Sequence, residues 1–141
     1  MTNNIDFTQS AIIPYRFTKQ GLEILLITSI RKKKWIVPKG FIEFNLTAFE
    51  SAKKEAFEEA GVIGTNETVE LGSFTLKKYG GLTKILVYSM EVEKIKDDYP
   101  EKNLRKRKWF TSDEASDAIS LPEVGNMIQI LLNELEKDHS N

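Results

Sequence analysis

GFIEFNLTAFESAKKEAFEEAGV, residues 40–62, is the stretch whose reading decides the fold of this 141-residue chain. Its apolar side chains Ala48, Phe49, Ala52, Ala56 and Phe57 recur at three- and four-residue spacing, which predicts an amphipathic helix from Thr47 to Ala60. Thr47 is the expected N-cap, and Glu50, three residues on, completes a capping box. Gly61 stands where a C-cap glycine belongs, since a residue without Cβ enters left-handed backbone freely.

At about 100° per residue, Glu55, Glu58 and Glu59 fall within an arc of about 100°, beside the apolar arc centred near Ala52 and Ala56. The three carboxylates therefore share one flank at the edge of the packing face. Like charges at these spacings cost roughly 0.2–0.5 kcal/mol per pair on an exposed helix. A divalent cation reverses that sign, and Mg²⁺ prefers a few carboxylate oxygens with water and phosphate completing its shell. The bland alternative is that Glu58 and Glu59 simply solvate a helix surface.

Outward from the helix, β-branched and aromatic residues mark strands over Ala11–Phe17 and Leu22–Ile30, with Lys19-Gln20-Gly21 as the turn between them. Trp35-Ile36-Val37 reads as a short strand stopped by Pro38. Val69–Tyr79 and Lys84–Val92 read as two more, joined around Gly80-Gly81, and Lys108–Phe110 as another short one. Ser112–Ile119 and Pro122–Lys137 read as helices, the second with Val124, Met127, Ile128, Ile130, Leu131, Leu132 and Leu135 supplying its buried side. Strands at the centre with helices before and after predict an α/β sandwich on a mixed sheet. The whole of 1–141 reads as one domain with its core over about 11–137, because no repeat, linker or low-complexity tract divides it.

Twenty basic against twenty-one acidic side chains leave a net charge of −1, so no global field argues for nucleic acid or an anionic membrane. The chain has no cysteine, which excludes disulfides, thiolate catalysis and Cys-ligated zinc. The N-terminal MTNNIDFTQS lacks the basic and apolar regions of a secretory signal, and no apolar run is long enough for a bilayer. The expectation is a cytoplasmic protein.

Residues 40–62 resemble the Nudix box, G-x5-E-x7-R-E-U-x-E-E-x-G-U with U aliphatic. Gly40, Glu55, Ala56, Glu58, Glu59, Gly61 and Val62 match at the required spacing. Leu46 stands in place of the box's first glutamate and Lys54 in place of its arginine, two residues that in the family mainly brace the loop and helix. The resemblance implies an α/β/α sandwich and Mg²⁺-dependent hydrolysis of a phosphoanhydride, with Mn²⁺ able to substitute. It implies Glu58 and Glu59 as metal ligands, Glu55 as ligand or base, and a backbone carbonyl at Lys39 or Gly40 as a further ligand. Some members draw another acidic residue from a later loop. Asp97, Asp98 and Glu101 are the candidates here, and surface solvation is the better reading of each.

Further stretches are similar to the diphosphoinositol and diadenosine polyphosphate phosphohydrolase branch: IPYR from Ile13, RKKKWIVPKG from Arg31, DDYP from Asp97 and NLRKRKWF from Asn103. Two basic clusters lie in them. Arg31 to Lys34 form the first, just before the strand that leads into Gly40, and Arg105 to Lys108 the second; Arg31, Lys33, Lys34, Lys39, Arg105 and Arg107 are the candidate substrate-binding residues. Such cations suit a phosphorylated small-molecule substrate, because they bind phosphate oxygens through charge-assisted hydrogen bonds. Solvated loops are the alternative. Leu82-Thr83-Lys84 lacks the basic, histidine-containing run expected for an inositol substrate, so dinucleoside polyphosphates and other nucleotides stay equally open. Two other functions stay open as well. One is a ligand-binding or regulatory module with weakened catalysis, suggested by Leu46 and Lys54. The other is RNA 5′-end pyrophosphohydrolysis, disfavoured by the near-neutral charge. The sequence does not set the oligomeric state.

Overall fold

The computed structural model describes residues 8–64, 70–78 and 80–139. Its main sheet runs in the order β3 (Trp35–Ile36), β2 (Gly21–Thr28), β1 (Gln9–Thr18), β7 (Gly81–Glu91), β6 (Glu70–Lys78). Two short strands join it off this path: β4 (Lys39–Phe41) pairs with β1, and β9 (Arg107–Thr111) with β2. β1 and β7 run parallel and the other pairs antiparallel, so the sheet is mixed.

β1 is apolar on both faces because helices cover both. Ile12 packs with Ala52, Ala56 and Ala60 of α1 (Ala48–Ala60). Ala11, Ile13 and Tyr15 on the opposite face join Val124, Met127 and Ile128 of α3 (Pro122–His139), with Ala115 of α2 (Ser112–Ala118). This is the α/β/α sandwich that the sequence predicts. The small alanines of α1 let the helix lie close on the sheet, and its caps form as read. Thr47 and Glu50 make a reciprocal capping box, and Gly61 closes the helix at φ 68°.

Several details differ from the sequence reading. Ile130, expected on the buried side of α3, is 46% exposed. β2 stops at Thr28 rather than running to Ile30, because Ser29 closes a tight turn onto Lys33 and Lys34. The expected strand Val69–Tyr79 is Glu70–Lys78 within the described residues, and Val69 and Tyr79 lie outside them. The short strands β4, β5 (Val62–Ile63) and β8 (Lys94–Ile95) carry too few residues to show a period. β5 and β8 pair with each other, and Lys96 N–H donates to Gly61 O at 2.7 Å. That small sheet ties the segment after β8 to the C-terminal end of α1.

Candidate metal and phosphate site

The last turns of α1 and strand β4 meet over the carboxylates. Glu59 is only 6% exposed, while Glu55 and Glu58 are half-buried beside it. The Lys39 N–H donates to Glu59 Oε1 at 3.3 Å. A Cβ at Gly40 would stand 2.5 Å from Glu55 Oε2 and overlap the carboxyl carbon, so close approach is what demands glycine there. The main chain of Lys39 and Gly40 thus sits against two of the three carboxylates.

The Glu55 and Glu59 carboxyls hydrogen-bond to each other, which requires one of them to hold a proton. Burial pushes Glu59 up to about 8, and the Arg105 guanidinium opposes that shift without cancelling it. Glu55 is raised as well, first by burial; its bond with Glu59 pulls down, while the charges of Glu58, Glu101 and Glu43 push up. The crowd of carboxylates is short of positive charge, and a proton fills part of the deficit.

A divalent cation fits the same donor set. Among the described residues no three His, Cys, Asp or Glu side chains stand together as a group that could by itself hold a metal ion. The fit rests instead on the carboxylate oxygens, the main chain at 39–40 and Ser10. Ser10 lies directly across from Gly40 in the β1–β4 register, so the two residues share the face that looks toward Glu55. Ser10 is fully buried, and its Oγ has no hydrogen-bond partner. Oxygen donors of this kind, with no thiolate or imidazole, suit Mg²⁺ or Mn²⁺.

Of the later acidic residues, only Glu101 reaches this cluster. Asp97 and Asp98 are exposed, Asp98 pairing with Lys102 at 3.1 Å. Glu101 donates its N–H to Glu58 O at 2.9 Å and accepts from Arg105 Nε at 3.0 Å. Its charge is felt by both Glu55 and Glu59. The signal for it in the sequence was the i,i+4 spacing of Glu101 and Arg105, which pairs the two on one turn.

Arg105 also donates from Nη1 to Thr28 O at 3.1 Å and holds Nη2 4.0 Å from Glu59 Oε1. Its side chain is 12% exposed, so the guanidinium is fixed at the site's edge. Arg105 also lines a cleft of about 410 Å³, together with Thr28, Lys33, Trp35, Asn103, Leu104 and Lys106. One residue of the first basic cluster and two of the second therefore share one cleft. Thr28 links their loops, exchanging bonds with Lys106 through its own N–H and hydroxyl. Trp35 is both core and border: half-buried, edge-on to Phe110, and part of the cleft wall.

The remaining predicted cations separate. Arg31 and Lys34 are exposed on the turn that holds Lys33 at φ 55°. Lys39 brings its main chain to the carboxylates. Arg107 is turned to the end of α1: Nη1 donates to Ala60 O at 2.9 Å and the guanidinium stacks 4.7 Å from the Tyr99 ring centroid. A cation at a helix C-terminus complements the helix dipole, so this geometry holds the helix end rather than opening onto the cleft.

The NUDIX domain model matches residues 7–129. Nudix hydrolase 12, mitochondrial, of Arabidopsis thaliana is 31% identical over 127 residues, 75% of this chain and 63% of that protein. Diphosphoinositol polyphosphate phosphohydrolase 3-beta of Bos taurus is 35% identical over 110 residues, 76% of this chain and 65% of that protein. The chain thus spans just under two thirds of the length of these curated relatives. A crystal structure of a C. elegans Ap4A hydrolase binary complex superposes with a TM-score of 0.78 at 18% identity, covering 94% of this chain and 99% of that one. At that identity the likeness shows the fold. No helix among the described residues is long and apolar enough to cross a membrane. With the box residues at the end of α1 and the model matched along most of its length, this chain belongs to the NUDIX domain family.

Proposed function

We propose that this chain hydrolyses a phosphoanhydride bond in a small, highly phosphorylated substrate, using Mg²⁺ or Mn²⁺. A dinucleoside polyphosphate or a diphosphoinositol polyphosphate is the substrate class. The observation that carries the reading is the meeting of Glu55, Glu58, Glu59 and the Lys39–Gly40 main chain beside a cation-lined cleft. The family generally uses divalent cations, and the names of the bovine and nematode proteins fit these substrates.

Glu58 and Glu59 would hold the metal, with Glu55 as a third ligand or as the base that takes the proton of the attacking water. The bound cation supplies charge neutralisation on phosphate oxygens and an acidified water. Arg105, held by Glu101 and Thr28, presents its guanidinium between the carboxylates and the cleft, where it binds phosphate oxygens as they gain charge. Lys33 and Lys106 bind the phosphates further along, and Arg31 and Lys34 extend the positive rim. The half-exposed Leu104 and Trp35 give the cleft an apolar wall for a base or ring.

Product analysis with Mg²⁺ over dinucleoside polyphosphates, diphosphoinositol phosphates, nucleotide sugars and nucleoside triphosphates tests this. Turnover confined to the first two classes is expected. Turnover of none of the panel would overturn it.

A further inference from the structure

We infer that the Glu43–Lys54 ion pair is this chain's own brace for the metal-site loop, replacing the glutamate and arginine that positions 46 and 54 lack. The inference rests on the metal-site reading above. Lys54 Nζ reaches both oxygens of Glu43, at 3.1 and 2.8 Å. Glu43 is also fixed through its main chain: its N–H donates to Oγ of the fully buried Ser51 at 2.9 Å, and its carbonyl accepts from Leu46 N–H at 3.1 Å. Ser51 and Lys54 lie at i,i+3 on α1, so they present neighbouring positions to the loop. Leu46, half-buried, carries no charge to offer, and the acidic partner comes instead from three residues upstream.

The two ends of the segment Gly40–Glu43 are thereby pinned to adjacent helix residues. Gly40 presses on Glu55 and Glu43 grips Lys54. With both ends held, the main chain at Lys39 and Gly40 has one place over the carboxylates. The pair is about half exposed, and exposed pairs contribute little to stability. Its effect belongs in the geometry of the site, where groups that orient metal ligands typically matter 10–100-fold in metal affinity.

Charge reversal separates a brace from a simple field effect. If the pair acts only through its charges, Glu43→Lys should weaken cation binding and Lys54→Glu should strengthen it. If it braces the loop, both single variants weaken binding, and Glu43→Lys with Lys54→Glu restores it. The measurement is Mn²⁺ titration followed by the loss of the free-ion EPR signal, with melting temperatures in chelator as a check on folding. Expected are dissociation constants raised at least ~10-fold in each single variant, recovery to within about threefold in the double variant, and nearly unchanged melting. Single variants that bind like wild type, or shift in opposite directions, overturn the brace while leaving the metal site standing. A wild-type protein that takes up no Mn²⁺ overturns the metal reading and the brace with it.

Discussion

Gly40 and Glu55 are packed so closely that no Cβ fits between them. Strand β4 is placed by β1, and α1 by its alanines on the sheet, so this contact sets the distance between the loop main chain and the first carboxylate. A methyl group at residue 40 meets the far end of a flexible glutamate, which can swing away. Gly40→Ala should therefore cost little in stability, under about 1 kcal/mol. It should lower kcat by at least about tenfold by moving Glu55. Thermal melts and steady-state rates check both halves, and full activity in Gly40→Ala would remove Glu55 from the site.

The protonated Glu59 gives the metal-free protein a pH signature. Its ordinary value is 4.5 and its folded value about 8, so the folded state holds the proton more tightly than the unfolded one. Stability from this group is fully present below about 4.5 and is lost as pH rises toward 8. In chelator, the wild-type melting temperature should fall from pH 5 to pH 8 relative to Glu59→Gln, which cannot titrate. Saturating Mg²⁺ should shrink that fall, because the cation replaces the proton. Parallel profiles for the two proteins would contradict the raised Glu59.

How far the sequence carried this reading depended on local pattern. Helix α1, its capping box and the carboxylates of its last turns were legible, because all follow from spacing within 23 consecutive residues. The main strands were legible from their β-branched runs, with β2 overrun by two residues at the Ser29 turn. What no local pattern shows is which distant residues meet. Lys33 and Lys106 share a cleft only because β2 pairs with both β3 and β9. Arg105 and Arg107 differ by two positions and look alike in sequence, yet Arg105 turns to Glu101 and Arg107 to the end of α1. Glu43 carries no signal in the sequence, because the family pattern places its acid at residue 46.

Arg107 and the cleft lysines should separate in kinetics. Lys33→Ser with Lys106→Ser removes two cleft cations that carry no part of the core. KM for the most phosphorylated substrate should rise several-fold, with melting nearly unchanged. Arg107→Ala removes a bond to Ala60 O and the Tyr99 stacking, and should destabilise by about 1–2 kcal/mol with little change in KM. The reverse pattern would exchange their roles.

Arg105→Lys keeps the charge and loses the planar fork. A single ammonium cannot serve Glu101, Thr28 O and a phosphate together. The expected result is kcat at least about tenfold lower with a smaller change in KM, read from steady-state kinetics. A variant with wild-type kcat would leave Arg105 as a purely structural contact.

Glu59→Gln tests the metal site most directly. In the metal-free protein Glu59 is protonated at neutral pH, and glutamine matches that neutral carboxyl in shape and still accepts from Lys39 N–H. The fold should therefore not be harmed by the change in chelator, and at pH 7 it should gain, because glutamine is spared the ionisation that costs wild type stability as pH rises above about 4.5. The cation, in contrast, loses a charged ligand, and kcat with Mg²⁺ should fall at least ~10²-fold, equivalent to about 3 kcal/mol of transition-state stabilisation. The measurement is kcat in saturating Mg²⁺ beside the melting temperature in chelator, at pH 7, for wild type and Glu59→Gln. A large fall in rate with a higher melting temperature is the expected result. A kcat within about twofold of wild type, or a protein that no longer folds, would contradict a metal site at the end of α1.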